Sequence, residues 1–298
     1  MAMKPEEPMI AQTTVARRIH RGRLFRKYFL LILALVCGVL LVSSGISVYF
    51  SYQENKSAIA SLQHEKAIAA ASRIEQFIRQ IEQQLIFVAL PQLGAAGIEL
   101  RRIEFLKLLR QVPSVTDVAQ LDATGKELLA VSRLAPDVVG SSKDRSQDPA
   151  FLGAKPSQTW YGPVYFRKET EPYIAIAVRS GGEAGVVTVI DVNLKFIWDV
   201  VQRIKIGKKG KAYVVDNNSH LIADPDIGLV LRKTDISGLA QVKSALAGPD
   251  ASDAPAMLAH DLSGAEVLTA FASIEPLGWK VFVEQPITEV YATLNATI

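Results

Sequence analysis

The chain has 298 residues, 49% of them hydrophobic, with a net charge of +3 and a single cysteine, Cys37. The charge is uneven: residues 1–27 carry seven basic and two acidic side chains, which leaves the remainder at −2. A basic nucleic-acid surface in the folded part is thereby excluded, and one cysteine inside an apolar run excludes a disulfide-stapled secreted domain.

Residues 1–16 have no apolar period and read as a disordered stretch within a basic tail, 1–27. Tyr28 to Phe50 is uncharged and dominated by Leu, Val, Ile, Phe and Ala. About 20 such residues cross the ~30 Å hydrocarbon core as a helix. Tyr28, Phe29, Tyr49 and Phe50 stand at its ends, where amphipathic rings favour the headgroup level. Arg17, Arg18, Arg21, Arg23, Arg26 and Lys27 precede it, so the positive-inside rule keeps the tail cytoplasmic and sends the rest across. A cleaved signal peptide would have an apolar core of about 7–15 residues and an A-x-A-like site, and neither fits. The bilayer is therefore an expected partner. The thiol-free part, residues 51–288, suits the periplasm outside a bacterial inner membrane.

Ser51 to Leu90 lacks Gly and Pro and predicts a long stalk helix. Ile59, Leu62, Ala70, Ile74, Phe77, Ile81, Leu85 and Val88 form a stripe at helical spacing. That stripe packs either on the chain's own globular part or on a second copy, and it is the expected homodimer face. Pro91 to Gly97 breaks the helix, and Glu99 to Val112 resumes it with Leu100, Ile103, Phe105, Leu106 and Leu109 inward. Val115 to Leu121 and Glu127 to Ser132 read as strands around the Asp122–Gly125 turn, with Gly125 placed for positive φ. Trp160 to Phe166, Tyr173 to Val178 and Val186 to Val192 predict three antiparallel strands, and Asn193 to Ile204 a helix.

The chain then repeats itself. The Asp122 turn followed by Leu128–Ala130 is echoed by an Asp216 turn followed by Leu221–Ala223, at an offset of 94. Gly185–Asp191 is echoed by Gly278–Glu284, at an offset of 93. Two patterns at nearly one offset predict duplicated modules, 91–204 and 205–288, each with a hairpin, a crossing segment and a final buried strand. Residues 289–298 begin an apolar helical run, either the start of a second membrane helix or a short amphipathic end.

Several phrases run through both halves in order: Gln147–Phe151, Trp160–Tyr165, Pro172–Ala177, Gly185–Leu194, Gly207–Asp216, His220–Asp226 and Gly278–Pro286. Together with the anchor and stalk they resemble the double Cache sensor region of bacterial transmembrane receptors, over about residues 30–298. The resemblance implies an α+β fold: an N-terminal transmembrane helix (28–50), a stalk helix (51–90) and two tandem PAS-like modules, each with a central antiparallel sheet. It implies that the first, membrane-distal module holds a small extracellular ligand. It also implies an output, a histidine kinase first, otherwise a nucleotide or diguanylate cyclase or a chemotaxis hairpin, that these residues do not contain.

A pocket for a small anionic or zwitterionic ligand needs a fixed cation, an anion and aromatic walls. Arg145, Asp148, Phe151, Trp160, Tyr161, Tyr165, Tyr173 and Asp191 supply that set. Asp191 ends an apolar strand and either faces a pocket or caps the helix after it. The resemblance implies that amino-acid-binding members use this Asp for the ligand's ammonium. Arg145 either pairs with a carboxylate or is solvated. The amino-acid pattern has Trp two residues later where this chain has Gln147, which leaves carboxylates and other small metabolites open as ligands. Each aromatic is either pocket wall or core. His20, His64, His220 and His260 are scattered, and no G-x-S-x-G, P-loop or G-x-G-x-x-G is present, so no cofactor, metal or catalysis is expected. His220 with Asp224 and Asp226 is a cation site or a hydrated turn. The competing reading is an anchored adaptor for a partner protein: a buried, concave cluster at 145–191 favours a ligand, a flat exposed one a protein.

Overall fold

The first helix, α1 (Arg21–Ala89), belongs to two units of the chain, Met1–Glu54 and Asn55–Ile298. The computed structural model describes residues 21–90, 97–141, 143–167, 171–182, 185–248 and 256–297. The expected disordered tail, 1–16, and residues 91–96 of the expected helix break lie outside them. In the first unit, Arg26–Ser47 is the one helical stretch among the described residues long and apolar enough to cross a membrane, and none of it is buried by protein. Its leucines, Leu30, Leu35 and Leu41 among them, are exposed, as a lipid-facing helix requires.

In the second unit α1 turns one apolar stripe inward: Ala67, Ala70, Ala71, Ile74, Ile78, Ile81, Leu85 and Ala89 are buried. The spacing of three and four residues is as expected, but the face is rotated. Leu62 is exposed, Phe77 and Val88 are only half-buried, and Ile78 and Ala89 take their places. Each turn offers two adjacent apolar residues there, and only the rotation of the helix against its neighbours chooses between them. The stripe packs on the chain's own sheets, so it is not free as the homodimer face. Helix α2 (Ile98–Gln111) buries Phe105, Leu108 and Leu109, whereas Leu100 and Ile103 are exposed, contrary to expectation. Its first turn reaches α1 through Arg101 instead, which donates to the carbonyl of Val88 at 2.6 Å.

The first sheet holds β1 (Val115–Leu121), β2 (Glu127–Ser132), β3 (Val138–Val139), β4 (Thr159–Tyr161), β5 (Tyr165–Arg167), β6 (Glu171–Ser180) and β7 (Val186–Asn193). Its order is β3-β2-β1-β7-β6-β4, with β5 also on β6. The expected strand Trp160–Phe166 is thus two short ones. Pro163 has no N–H to continue the ladder, and Gly162 closes it by donating to Ala175 O at 2.8 Å. Helix α3 (Pro149–Ala154) sits between β3 and β4 in the chain, and α4 (Lys195–Arg203) follows β7. The second sheet holds β8 (Lys211–Val215), β9 (Leu221–Ala223), β10 (Met257–His260), β11 (Glu266–Ile274) and β12 (Trp279–Pro286), in the order β10-β11-β12-β8-β9. Helices α5 (Ile227–Leu231) and α6 (Ala240–Ala247) lie between β9 and β10, and α7 (Ile287–Thr297) ends the described chain.

The sequence repeat is visible in both sheets. In each, the last strand pairs antiparallel with the first: Asp191 lies opposite Asp117, and Glu284 opposite Lys211. The two repeated turns close alike, because Asp122 accepts from the N–H groups of Thr124 and Lys126, and Asp216 from those of Asn218 and His220. A third copy, Asp261 with Ser263 and Ala265, joins β10 to β11. The fourth position of each loop has positive φ: Gly125 at 91°, Gly264 at 82° and Ser219 at 65°. Serine is the strained member of that set.

One hydrophobic cluster joins α1, α2 and α4 to Val118, Val131, Ile176 and Ile190 of the first sheet and to Val214, Ala272 and Val281 of the second. Polar pins accompany it. Gln63 Nε2 donates to Gln285 Oε1 at 3.0 Å, and the N–H of Glu275 to Glu75 Oε1 at 2.8 Å. Leu85 is fully buried in this cluster, so Leu85→Ala should lower the unfolding free energy by about 2–5 kcal/mol in denaturant titration. Ser219→Gly should raise it by up to about 1 kcal/mol, the relief of a left-handed residue less glycine's extra entropy in the unfolded chain. A loss of stability would show that the Ser219 side chain matters more than its backbone.

Candidate functional site

Side chains alternate across a strand, and the first sheet uses that alternation to make two unlike faces. Val118, Val131, Ile190 and Val192 point into the cluster with α1. The opposite face is apolar where α3 covers it, with Leu121, Phe151, Ala154, Val187 and Val189 packed together. Continuing along the same face of β1 and β7 brings the chain to Asp117 and Asp191, which lie opposite each other in register. Two carboxylates side by side on a half-covered face repel one another unless something positive joins them.

That group is Arg167, at the end of β5. Its Nη1 lies 2.5 Å from Asp117 Oδ2 and its Nη2 2.9 Å from Asp191 Oδ2. The guanidinium carbon stands 4.9 Å from the centre of the Tyr173 ring, and Tyr165 stacks on Tyr173 with centroids 5.9 Å apart. Ser132 Oγ donates to Asp117 Oδ1 at 2.6 Å and Thr116 Oγ1 to Asp117 Oδ2 at 2.7 Å. A cavity of about 240 Å³ opens beside the pair, lined among others by Asp117, Glu127, Ser132, Pro136, Arg145 and Asp191. That volume is on the scale of one small metabolite.

The two acids are driven apart in proton affinity. Burial works against the charge of Asp117, but bonds from Ser132, Arg167 and Thr116 outweigh it and hold its carboxyl below the usual range. Burial pushes the Asp191 carboxyl up, and the neighbouring Asp117 charge adds to this; the Tyr165 hydroxyl and Arg167 oppose it without overcoming it. Tyr165 is raised in turn, by burial first and then by Asp191.

The eight residues expected at the site fall into five groups. Arg145 and Asp191 line the cavity, and Tyr165 and Tyr173 flank the carboxylate pair. Asp148 holds Arg145, through Nε at 2.9 Å and Nη2 at 2.5 Å, and caps α3 by accepting from the N–H of Ala150. Phe151 is core. Trp160 and Tyr161 instead line a wider cleft of about 530 Å³, with Pro163, Asp216, Asn217 and Trp279. That cleft is larger, but its carboxylate, Asp216, is engaged by the loop N–H groups of Asn218 and His220. The charge-selective chemistry is at the smaller cavity.

The cap alternative for Asp191 is overturned. Asp191 lies within β7, α4 begins at Lys195, and the Lys195 N–H is accepted by Asn193 Oδ1 at 2.8 Å. Asp117, Glu127, Ser132 and Arg167 were not foreseen at the site. Asp117 carries the same cue as Asp191, an acid inside an apolar strand. Arg167 is two residues from Tyr165 and therefore shares its face. Of the second-module candidates, Asp224 pairs with Lys211 at 3.0 Å and Asp226 caps α5 through the N–H of Gly228.

The position matching Asp191 in the second sheet is closed. Glu284 is buried, accepts from Tyr213 Oη at 2.5 Å and from Gln241 Nε2 at 3.0 Å, and has no ligand-sized space beside it.

Because the folded state raises the Asp191 carboxyl, its ionisation opposes folding above that pKa and ceases to matter below the unfolded value of 3.8. Asp191→Asn should therefore raise the melting temperature at pH 7. The gap to wild type should close as the pH falls toward 3.8. Destabilisation at pH 7 would show that the Arg167 bond outweighs burial and Asp117.

The Cache domain family matches residues 51–294. No curated protein matches the chain. Among solved structures, the extracellular domain mmHK1S-Z2, assigned to a histidine kinase, is similar with a TM-score of 0.61 at 16% identity, over 77% of this chain and 99% of that one. The ligand-binding domain of the Pseudomonas aeruginosa amino acid chemoreceptor PctC, solved with GABA, has a TM-score of 0.57 at 15% identity, over 74% and 97%. That of PctB from the same organism, solved with L-Arg, has a TM-score of 0.56 at 18% identity, over 79% and 91%.

Proposed function

Because the chain belongs to the Cache domain family, a family of extracytoplasmic sensor domains without catalysis of their own, we propose that its first module binds a small amino-acid-sized molecule through Asp191. The observation that carries this reading is the carboxylate pair Asp117–Asp191 beside the cavity of about 240 Å³, with the stacked Tyr165 and Tyr173 rings next to the pair. A ligand ammonium takes the position of a cation between the carboxylates, and the rings exclude water around it. The similar domains of PctC and PctB hold GABA and L-Arg, which supports a ligand bearing a charged nitrogen. Arg145, Asp148 and the rest of the expected set play unequal parts: Arg145 lines the cavity, Asp148 orients it, and Phe151 packs in the core beneath α3.

In this reading modules 91–204 and 205–288 lie outside a bacterial inner membrane, the N-terminus is cytoplasmic, and the chain is the input region of a receptor. A histidine kinase output is our first choice, and a cyclase or chemotaxis hairpin the alternative; the similar structures include kinase and chemoreceptor domains alike. Ligand binding biases α1 between two arrangements by its differential affinity for them. The half-buried, concave setting of the carboxylates favours a small ligand over a flat protein-binding face. A dimer, if formed, uses a surface other than the buried stripe of α1.

The detergent-solubilised chain should show a thermal shift with a class of amino acids or amines, worth about 2.7 kcal/mol at 100 times the dissociation constant. Asp191→Ala should remove the shift. A shift that survives Asp191→Ala would place the ligand elsewhere, and silence across amino acids, amines and carboxylates would move the reading to the protein-binding adaptor.

A further inference from the structure

We infer that the Asp117–Asp191 pair is a receptor for a guanidinium or amine cation, and that Arg167 occupies it as a tethered surrogate which the ligand displaces. The inference rests on the reading of this face as the ligand site and names the ligand's chemistry. Arg167 makes the contacts a bound cation would make. Its planar fork spans two carboxylates from different strands, at 2.5 and 2.9 Å, and lies over an aromatic ring at 4.9 Å. Two acids and a ring face are the standard means of holding a guanidinium.

Charge selects the class of competitor. The cavity and its rim carry Asp117, Glu127, Asp148 and Asp191 against Arg145 and Arg167. Arg145 is already placed between Asp148, at 2.5 Å, and Glu127, at 3.6 Å. A ligand carboxylate therefore meets excess negative charge, whereas a ligand cation can replace Arg167 charge for charge.

The tether is built to let go. β5 is three residues long and, among the described residues, pairs with β6 alone, as Tyr165↔Tyr173, Phe166↔Pro172 and Arg167↔Glu171. Releasing Arg167 thus costs an edge strand and leaves the sheet interior whole. On the other side of β5, Phe166 lies 5.4 Å under Lys233 Nζ, in the loop after α5 of the second module. Displacement of Arg167 is therefore felt outside the first module.

A surrogate present at the effective concentration of a short tether weakens every competing cation by the fraction of time it is bound. Titration calorimetry of the detergent-solubilised chain with agmatine, L-arginine and succinate tests this. Agmatine should bind Arg167→Gln roughly ten-fold or more tightly than wild type, the double variant with Asp117→Asn should lose that gain, and succinate should bind neither. Should Arg167→Gln fold poorly, hydrogen exchange of wild type supplies the second readout: agmatine should speed exchange at Tyr165 and Arg167. Weaker agmatine binding by Arg167→Gln, or unchanged β5 exchange on saturation, overturns the inference. If amino acids still bind wild type and lose binding in Asp191→Ala, only the surrogate fails; if no binding depends on Asp191, the ligand-site reading fails with it.

Discussion

The second unit depends on the buried stripe of α1. Neither sheet can bury its inner face alone, and one helix supplies apolar side chains to a cluster that includes both. The polar bonds along the helix follow the same order: Gln63 and Glu75 meet Gln285 and Glu275 of the second half, and further along Glu82 meets Tyr161 of the first. A close-packed seam of this kind has discrete rather than continuous alternatives. Both sheets therefore share α1 as a common packing partner.

With one face of the first sheet committed to α1, the other is divided. Where α3 covers it, small apolar side chains and Phe151 close the space. Where no helix covers it, Asp117 and Asp191 face each other and the fold tolerates an unfavourable pair of charges. The tolerance has a physical form: Asp117 is stabilised by three donors, Asp191 is held back from ionising by burial, and Arg167 bridges them.

Duplication makes the contrast internal to one molecule. The two sheets share strand arrangement, Asp-anchored loops and an acid at the matching position of the final strand. In the second sheet that acid, Glu284, is surrounded by Tyr213 and Gln241 and faces a lysine register partner, Lys211. In the first it faces another acid and a cavity. One backbone position is thus an internal prop in one copy and borders a cavity in the other.

Hydrophobic period, turn residues and repeat offset are local quantities, and they determined the elements. The apolar span, the strands Val115–Leu121 and Glu127–Ser132 and the Asp122 and Asp216 turns stand as read. The residue order also identified the family and singled out Asp191 as an acid out of place in an apolar strand. Tertiary structure alone decided whichever choice depended on a neighbour. It rotated α1 toward Ile78 rather than Phe77, turned Leu100 and Ile103 outward, and split Trp160–Phe166 at Pro163. It also sent Trp160 and Tyr161 to a different cleft and brought Arg167 against Asp117 and Asp191. Asp117, Arg167 and Asp191 are separated by 50 and 24 residues in the chain. Their meeting is set by antiparallel register across β1, β7, β6 and β5, and register is a property of paired strands that no single stretch of sequence contains.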